Sequence, residues 1–337
     1  MQRFQYIDAL RGYAILAVIL GHVSLTASPS SETVRQITLL HSGRGVQLFF
    51  VVSALALMFA WHSHQNGVRA FYIRRFFRIA PMFWLVIGFN VLAASKVPFT
   101  WDQIASHVLF LHGLSPRWIN TVVAGSWTIS VEATFYVLFP LLARCVTTLR
   151  RSLILLGLSL LVAAACWLPL LWYGETMGGA PNFLRSYAYE SFLIQAPCFM
   201  TGVVTYFLIT RPVAFPSWVI KAAGIASLSV IVGLVTLTKT YTTYVMFALA
   251  FGAAALVLSK RHLGFWVHPP ICWLGTISYS AYFLHFLIIA ALAPFGFSFV
   301  SLFALTMFLV CIASSITYLA IERPMINVGN RVSRSYA

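Results

Sequence analysis

Ten apolar runs follow one another along this 337-residue chain, with only short polar links between them. Each is near the roughly 20 residues that an α-helix needs to cross a bilayer. They cover residues 7–25, 45–61, 79–95, 126–146, 152–172, 191–209, 218–237, 243–259, 273–293 and 299–320. Hydrocarbon offers no partner for a backbone N–H or C=O, so a spanning segment satisfies its own by coiling into a helix. The expected fold is all-α, a polytopic membrane protein of about ten transmembrane helices. A further stretch, QIASHVLFLHG at 103–113, is apolar but too short to span. It is expected to lie at the interface or to re-enter the membrane. No polar block is long enough to fold separately, so residues 1–337 read as a single membrane domain.

Only 9% of the residues are charged and 60% are hydrophobic. A soluble domain carries about 25% charged residues, so this chain could not cover its own surface in water. The net charge of +15 does not indicate a nucleic-acid partner, because the 22 Lys and Arg are dispersed through the short links. Ten crossings leave both termini on one face. Sixteen basic residues then fall on that face: Arg3, Arg11, Arg69, Arg74, Arg75, Arg78, Arg144, Arg150, Arg151, Arg211, Lys221, Lys260, Arg261, Arg323, Arg331 and Arg334. Six fall opposite: Arg35, Arg44, Lys96, Arg117, Arg185 and Lys239. The positive-inside rule makes the richer face cytoplasmic, with both termini in the cytoplasm. The first apolar run reads as a retained helix rather than a cleaved signal peptide. The five cysteines show no CxxC spacing, which argues against a disulfide framework and a metal site. No internal repeat is evident, and the oligomeric state is not legible.

Ionisable residues inside spanning helices are costly and mark cavities or partners. In the first helix, Arg11 and His22 are eleven residues apart, about three whole turns, so they share one stripe roughly 16 Å long. Asp8 shares that face and is spaced to pair with Arg11. RRFFRIAP places Arg74, Arg75 and Arg78 at the cytoplasmic mouth of the third helix. Arg75 and Arg78 share a face if that helix begins early, and guanidinium groups suit phosphate oxygens. Glu132, in GSWTISVEATFYVLFP, is expected about two turns, roughly 10 Å, below the outer end of the fourth helix. That depth matches His22, so the carboxylate could fix the imidazole tautomer. In LGTISYSAYFLHF, Ser278, Tyr282 and His285 follow i, i+4, i+7 spacing and should line one face. The other histidines (His41, His62, His64, His107, His112, His262, His268) read as link residues without a role.

Taken in order, IDALRGYAILAVILGHV, GVQLFFVVSALAL, RRFFRIAP, GSWTISVEATFYVLFPLL, LGTISYSAYFLHF and the closing IERP resemble the acyltransferase-3 family of bacterial integral membrane O-acyltransferases. The resemblance runs from residue 7 to 324, and its most specific parts are the Arg11-x10-His22 spacing and the RxxR of Arg75 and Arg78. Gln47, Ala54, Ala133 and Thr134 depart from the residues usual in that pattern. The resemblance implies transfer of an acyl group, commonly acetyl, from acetyl-CoA to a hydroxyl of a glycan or related acceptor. It implies that His22 is the catalytic base, with Arg11 essential nearby, and that Arg75 and Arg78 serve the acyl-CoA donor. It also implies a stand-alone member of the family.

The candidate catalytic set is therefore His22, Arg11, Glu132 and Asp8, with Arg75, Arg78 and Arg74 for the donor. Ser53, Trp127, Tyr136, Tyr282 and His285, from the same motifs, are candidate substrate-binding positions. No permanently bound cofactor is expected; acetyl-CoA is a substrate, and the lipid bilayer is the standing partner. The outer-loop aromatics Trp101, Trp118, Tyr173 and Tyr187 suit either sugar stacking or the membrane interface. The alternative function is a proton-coupled transporter or glycan flippase with His22 and Glu132 as a proton relay. Direct transfer and relay of the acyl group across the membrane both remain open, as does the acceptor.

Overall fold

Apolar runs rich in Leu, Ala, Ile, Val and Phe coil as expected. The computed structural model describes residues 4–63, 67–93, 98–176, 182–211, 215–237, 243–260 and 264–336. These form fifteen α-helices: α1 Gln5–Thr26, α2 Glu32–His41, α3 Gly45–Ser63, α4 Val68–Ala93, α5 Trp101–Val108, α6 Trp127–Cys145, α7 Leu149–Thr176, α8 Asn182–Tyr189, α9 Phe192–Thr210, α10 Ser217–Leu237, α11 Tyr244–Lys260, α12 Pro269–Thr276, α13 Ser278–Leu292, α14 Phe299–Thr317 and α15 Arg323–Arg334. No strand occurs among the described residues. Arg3, His64, Lys96, Lys239, Arg261 and His262 lie outside them, as do the side chains of His41 and Tyr173.

Nine described helical segments are at least 18 residues long and apolar enough to cross a membrane, and α11, at 17 residues, is a shorter apolar helix. Every one of the ten expected runs has a helix at its position. Two boundaries differ. The helix carrying RRFFRIAP begins at Val68, early enough for Arg75 and Arg78 to share a face of α4. The run 273–293 is not one helix but α12 and α13, which meet at Ile277 (φ −91°, ψ 5°). The break coincides with a close backbone crossing. A Cβ on Gly275 would run into the carbonyl oxygen of Asp8, and one on Gly12 into that of Ile271. Small residues at a crossing let two membrane helices touch backbone to backbone, which fixes α12 against α1 before the chain turns into α13.

The chain divides into two compact units. The first, Met1–Phe59 with Cys198–Tyr318, has α1 at its centre, packed against α12, α13 and α14. The second, Ala60–Pro197 with Leu319–Ala337, packs α4 against α5, α6 and α15. A π-helical turn at Tyr318–Glu322 leads from α14 into α15. Such insertions are rare and concentrate at functional sites. The short run at 103–113 is the eight-residue α5 followed by a tight turn and a 3₁₀ turn at His112–Leu114, consistent with a segment too short to span.

Candidate active site

The stripe expected on α1 is present. Arg11 Nη1 and Asp8 Oδ1 are 3.9 Å apart, one turn from each other near the start of the helix. His22 lies three turns further on, and its Nδ1 is 2.9 Å from the carbonyl oxygen of Val18. A carbonyl only accepts, so Nδ1 carries the hydrogen and donates it. On α13, His285 repeats the arrangement, with Nδ1 donating to Ala281 O at 3.0 Å. This leaves Nε2 of His285 as an acceptor, and it stands 3.2 Å from His22 Nδ1. The His22 N–H is thus shared between its own backbone and His285. Among the described residues Nε2 of His22 makes no hydrogen bond. That nitrogen keeps its lone pair, as a general base requires.

Aromatic residues enclose the pair. The Phe286 ring is 4.5 Å from that of His22 and 4.1 Å from that of His285, and Tyr282 meets His285 edge-on at 5.9 Å. Ser278, Tyr282 and His285 are all buried, so the i, i+4, i+7 face does point inward. His285, read from sequence as a substrate-binding candidate, is the direct neighbour of His22. Ser53 on α3 is buried in the same unit.

The second unit holds the arginines. The Arg75 guanidinium lies 5.8 Å above the Tyr136 ring and 5.9 Å above that of Phe71. The Tyr136 hydroxyl donates to Glu132 Oε1 at 2.6 Å. One turn along α4, Arg78 Nη1 is 3.6 Å from Oε2 of Glu322, a carboxylate buried to 2% exposure. Glu322 belongs to the IERP motif, but sequence reasoning gave it no role. An acid within an apolar run was the signal available. Nε of Arg75 and Nη1 of Arg74 are sealed from solvent and have no hydrogen-bond partner among the described residues. Buried donors are rarely left unpaired, and an anionic oxygen is the acceptor that suits a guanidinium. Glu132 and His22, expected to meet, belong to different units.

His107 and His112, read as bland, form a second histidine pair within the second unit. Both are fully buried and their rings stack at 4.3 Å with planes 10° apart. The chain folds back at Phe110, which takes a left-handed φ of 61°, and this brings residues five apart face to face. His107 Nδ1 donates to Gln103 O, and His112 Nε2 to Ser126 O, each at 2.9 Å. Burial first, and then the neighbouring His112, holds the His107 imidazole down to about 4.

A family model described as an acyltransferase domain matches residues 4–320, spanning both units. The chain belongs to the acyltransferase-3 family. Among similar proteins, the acyltransferase MdmB of Streptomyces mycarofaciens is 31% identical over 160 residues, covering 43% of this chain and 40% of that protein. The peptidoglycan O-acetyltransferase OatA of Listeria monocytogenes is 23% identical over 323 residues, or 86% of this chain and 50% of OatA. BcsY of Komagataeibacter xylinus, provisionally named a membrane-bound transacylase, is 24% identical over 96% of this chain and 83% of its own length. The acyltransferase-3 chain described here thus spans half or less of the first two relatives. No solved structure matches it. Among the described residues, no group of three or more His, Cys, Asp or Glu is placed to hold a metal ion.

Proposed function

We propose that this chain is a membrane-bound O-acyltransferase that moves an acyl group, specifically acetyl, from acyl-CoA to a hydroxyl of a surface glycan or related acceptor. The observation that carries the reading is the His22 tautomer: Nδ1–H is held by Val18 O and His285, which leaves Nε2 to take a proton. Family membership and a relative named as a peptidoglycan O-acetyltransferase support acyl transfer over proton-coupled transport.

In this reading Nε2 of His22 removes the proton of the acceptor hydroxyl as its oxygen attacks the thioester carbonyl. The C–S bond of the tetrahedral adduct then breaks, and CoA leaves as the thiol with the proton that His22 returns. Arg11, paired with Asp8 at the other end of the stripe, is the essential cation on that helix. Arg75, Arg78 and Arg74 bind the donor phosphates, because guanidinium–phosphate pairs are strong and directional. Glu132 holds the Tyr136 hydroxyl and, through it, the ring beneath Arg75. With both termini in the cytoplasm of a cell whose inner membrane holds the chain, acyl-CoA arrives from the arginine-rich face.

Labelled acetyl-CoA given to purified protein tests this reading. His22→Ala, still folded, should lose transfer about 10²–10⁴-fold, the usual contribution of a general base. Transfer at the wild-type rate would remove His22 from the mechanism. An acetyl group found on His22 by mass spectrometry after donor alone would favour relay over direct transfer.

A further inference from the structure

The last helix carries positive charge that the proposed chemistry does not use. α15 is twelve residues long, about 18 Å, too short to cross a bilayer. Its sequence, RPMINVGNRVSR, holds three arginines and no acid. Within the second unit it packs against the first half of α4. A Cβ on Gly329 would meet the Phe77 side chain, and the Arg69 guanidinium lies 4.0 Å over the Tyr336 ring. That half of α4 holds Arg69, Arg74, Arg75 and Arg78, whereas residues 79–93 carry no charge. Charged side chains are costly in hydrocarbon, so α15 lies at the membrane surface where α4 begins.

Helical spacing divides α15 into three faces. Gly329 and Ser333 are buried and turn towards α4. Val328, Val332 and, just past the helix end, Tyr336 follow at i, i+4 and i+8, yet they are 36%, 39% and 42% exposed. Arg323, Arg331 and Arg334 fall on a third face, centred about 130° around the axis from Val328 and Val332. All three are exposed, and none makes a hydrogen bond or ion pair among the described residues. An exposed apolar stripe and a separate arginine face, on a short helix at the membrane surface, are the pattern of a helix lying in the interface. A soluble anion would engage the arginines and leave the valines in water. A phospholipid meets both.

We propose that α15 is a docking surface for anionic phospholipid. Arg323, Arg331 and Arg334 take the headgroup phosphates, and Val328, Val332 and Tyr336 lie against the acyl chains. Guanidinium groups pair strongly and directionally with phosphate oxygens. In a choline lipid the headgroup cation cancels the phosphate charge, so lipids of net negative charge are preferred. Arg69, stacked on Tyr336, ties this seat to the start of α4. The inference stands on the helix and its charge, and does not depend on the acyl-transfer reading.

The test uses the full chain in detergent, titrated with dioleoylphosphatidylglycerol or dioleoylphosphatidylcholine and read by native mass spectrometry. Wild type should hold the glycerol lipid at least about tenfold more tightly, since each arginine at an anionic surface is worth about fivefold. Arg331→Gln/Arg334→Gln should cut that preference at least about fivefold. Val328→Ser/Val332→Ser should weaken both lipids and leave the preference intact. Arg144→Gln/Arg150→Gln removes the same charge from two exposed positions elsewhere in the unit and should change neither. No preference in wild type, an unchanged preference in Arg331→Gln/Arg334→Gln, undiminished binding by the serine variant, or an equal loss in Arg144→Gln/Arg150→Gln would each overturn the proposal. So would displacement of the glycerol lipid by millimolar inorganic pyrophosphate at matched ionic strength, which would assign the arginines to a soluble phosphate compound.

Discussion

His285 Nε2 accepts from the Nδ1–H of His22 across 3.2 Å, joining two helices whose residues lie 263 positions apart. Each ring is also anchored to the carbonyl four residues before it in its own helix. If His22 is the proposed base, His285 acts on it as a positioning residue, because it accepts the hydrogen that fixes the His22 tautomer. His285→Leu should lower kcat about tenfold, the scale of one hydrogen bond, with little change in either KM. His285→Gln, which returns an acceptor at the position of Nε2, should recover much of the loss. A purely structural role would instead give equal losses in both variants, tracking their thermal stability.

Arg75 and Arg78 sit one turn apart on α4 but in different environments. Arg75→Ala should raise KM for acetyl-CoA about tenfold or more and leave KM for the acceptor nearly unchanged, because a guanidinium–phosphate pair serves the donor alone. Equal effects on both substrates in steady-state kinetics would remove the donor assignment.

Arg78→Ala removes a partner of the buried Glu322, and stranding a buried charge costs about 3–5 kcal/mol. A marked fall in Tm is expected. Combining it with Glu322→Gln should restore part of that stability, giving a non-additive cycle. Additive effects of the two changes would show that the pair is not coupled.

Gly275→Ala places a methyl group against the carbonyl of Asp8 at the α1–α12 crossing. Overpacking of this kind costs about 1–3 kcal/mol. The variant should melt earlier than wild type and lose activity as α1 is displaced, whereas Gly157→Ala, which meets open space, should lose neither.

Acid should destabilise the protein through His107. Its imidazole is held down to about 4 in the fold, against about 6.5 when unfolded. Above pH 6.5 the group is neutral in both states and contributes no pH dependence. As pH falls from about 6.5 to about 4 the unfolded chain binds the proton first, and stability declines by up to about 3 kcal/mol. Below about 4 the folded state takes the proton as well and this slope ends. In a thermal scan against pH, His107→Phe should flatten the decline. An unchanged slope in that variant would shift the origin to another group.

Everything that depends on spacing along one helix was legible before any packing was known. A membrane helix satisfies its own backbone, so its existence is a local property of an apolar run. The alignment of Asp8, Arg11 and His22 follows from 3.6 residues per turn alone, as does the shared face of Ser278, Tyr282 and His285. For the same reason the RxxR arginines share one side of α4 once the helix begins at Val68.

Pairings between helices were decided only by the tertiary structure. Apolar faces pack against one another with little directional preference, so nothing local in α1 specifies that His22 meets α13. The small glycines Gly12 and Gly275 let the backbones of α1 and α12 touch, and α13 follows directly from α12. The same holds for Arg78 with Glu322, far apart in sequence. The break at Ile277 and the stacking of His107 on His112 depend on single backbone torsions, at Ile277 and Phe110, that an apolar pattern does not encode. Sequence determined which side chains lie together on each helix; packing decided which helix each of those faces meets.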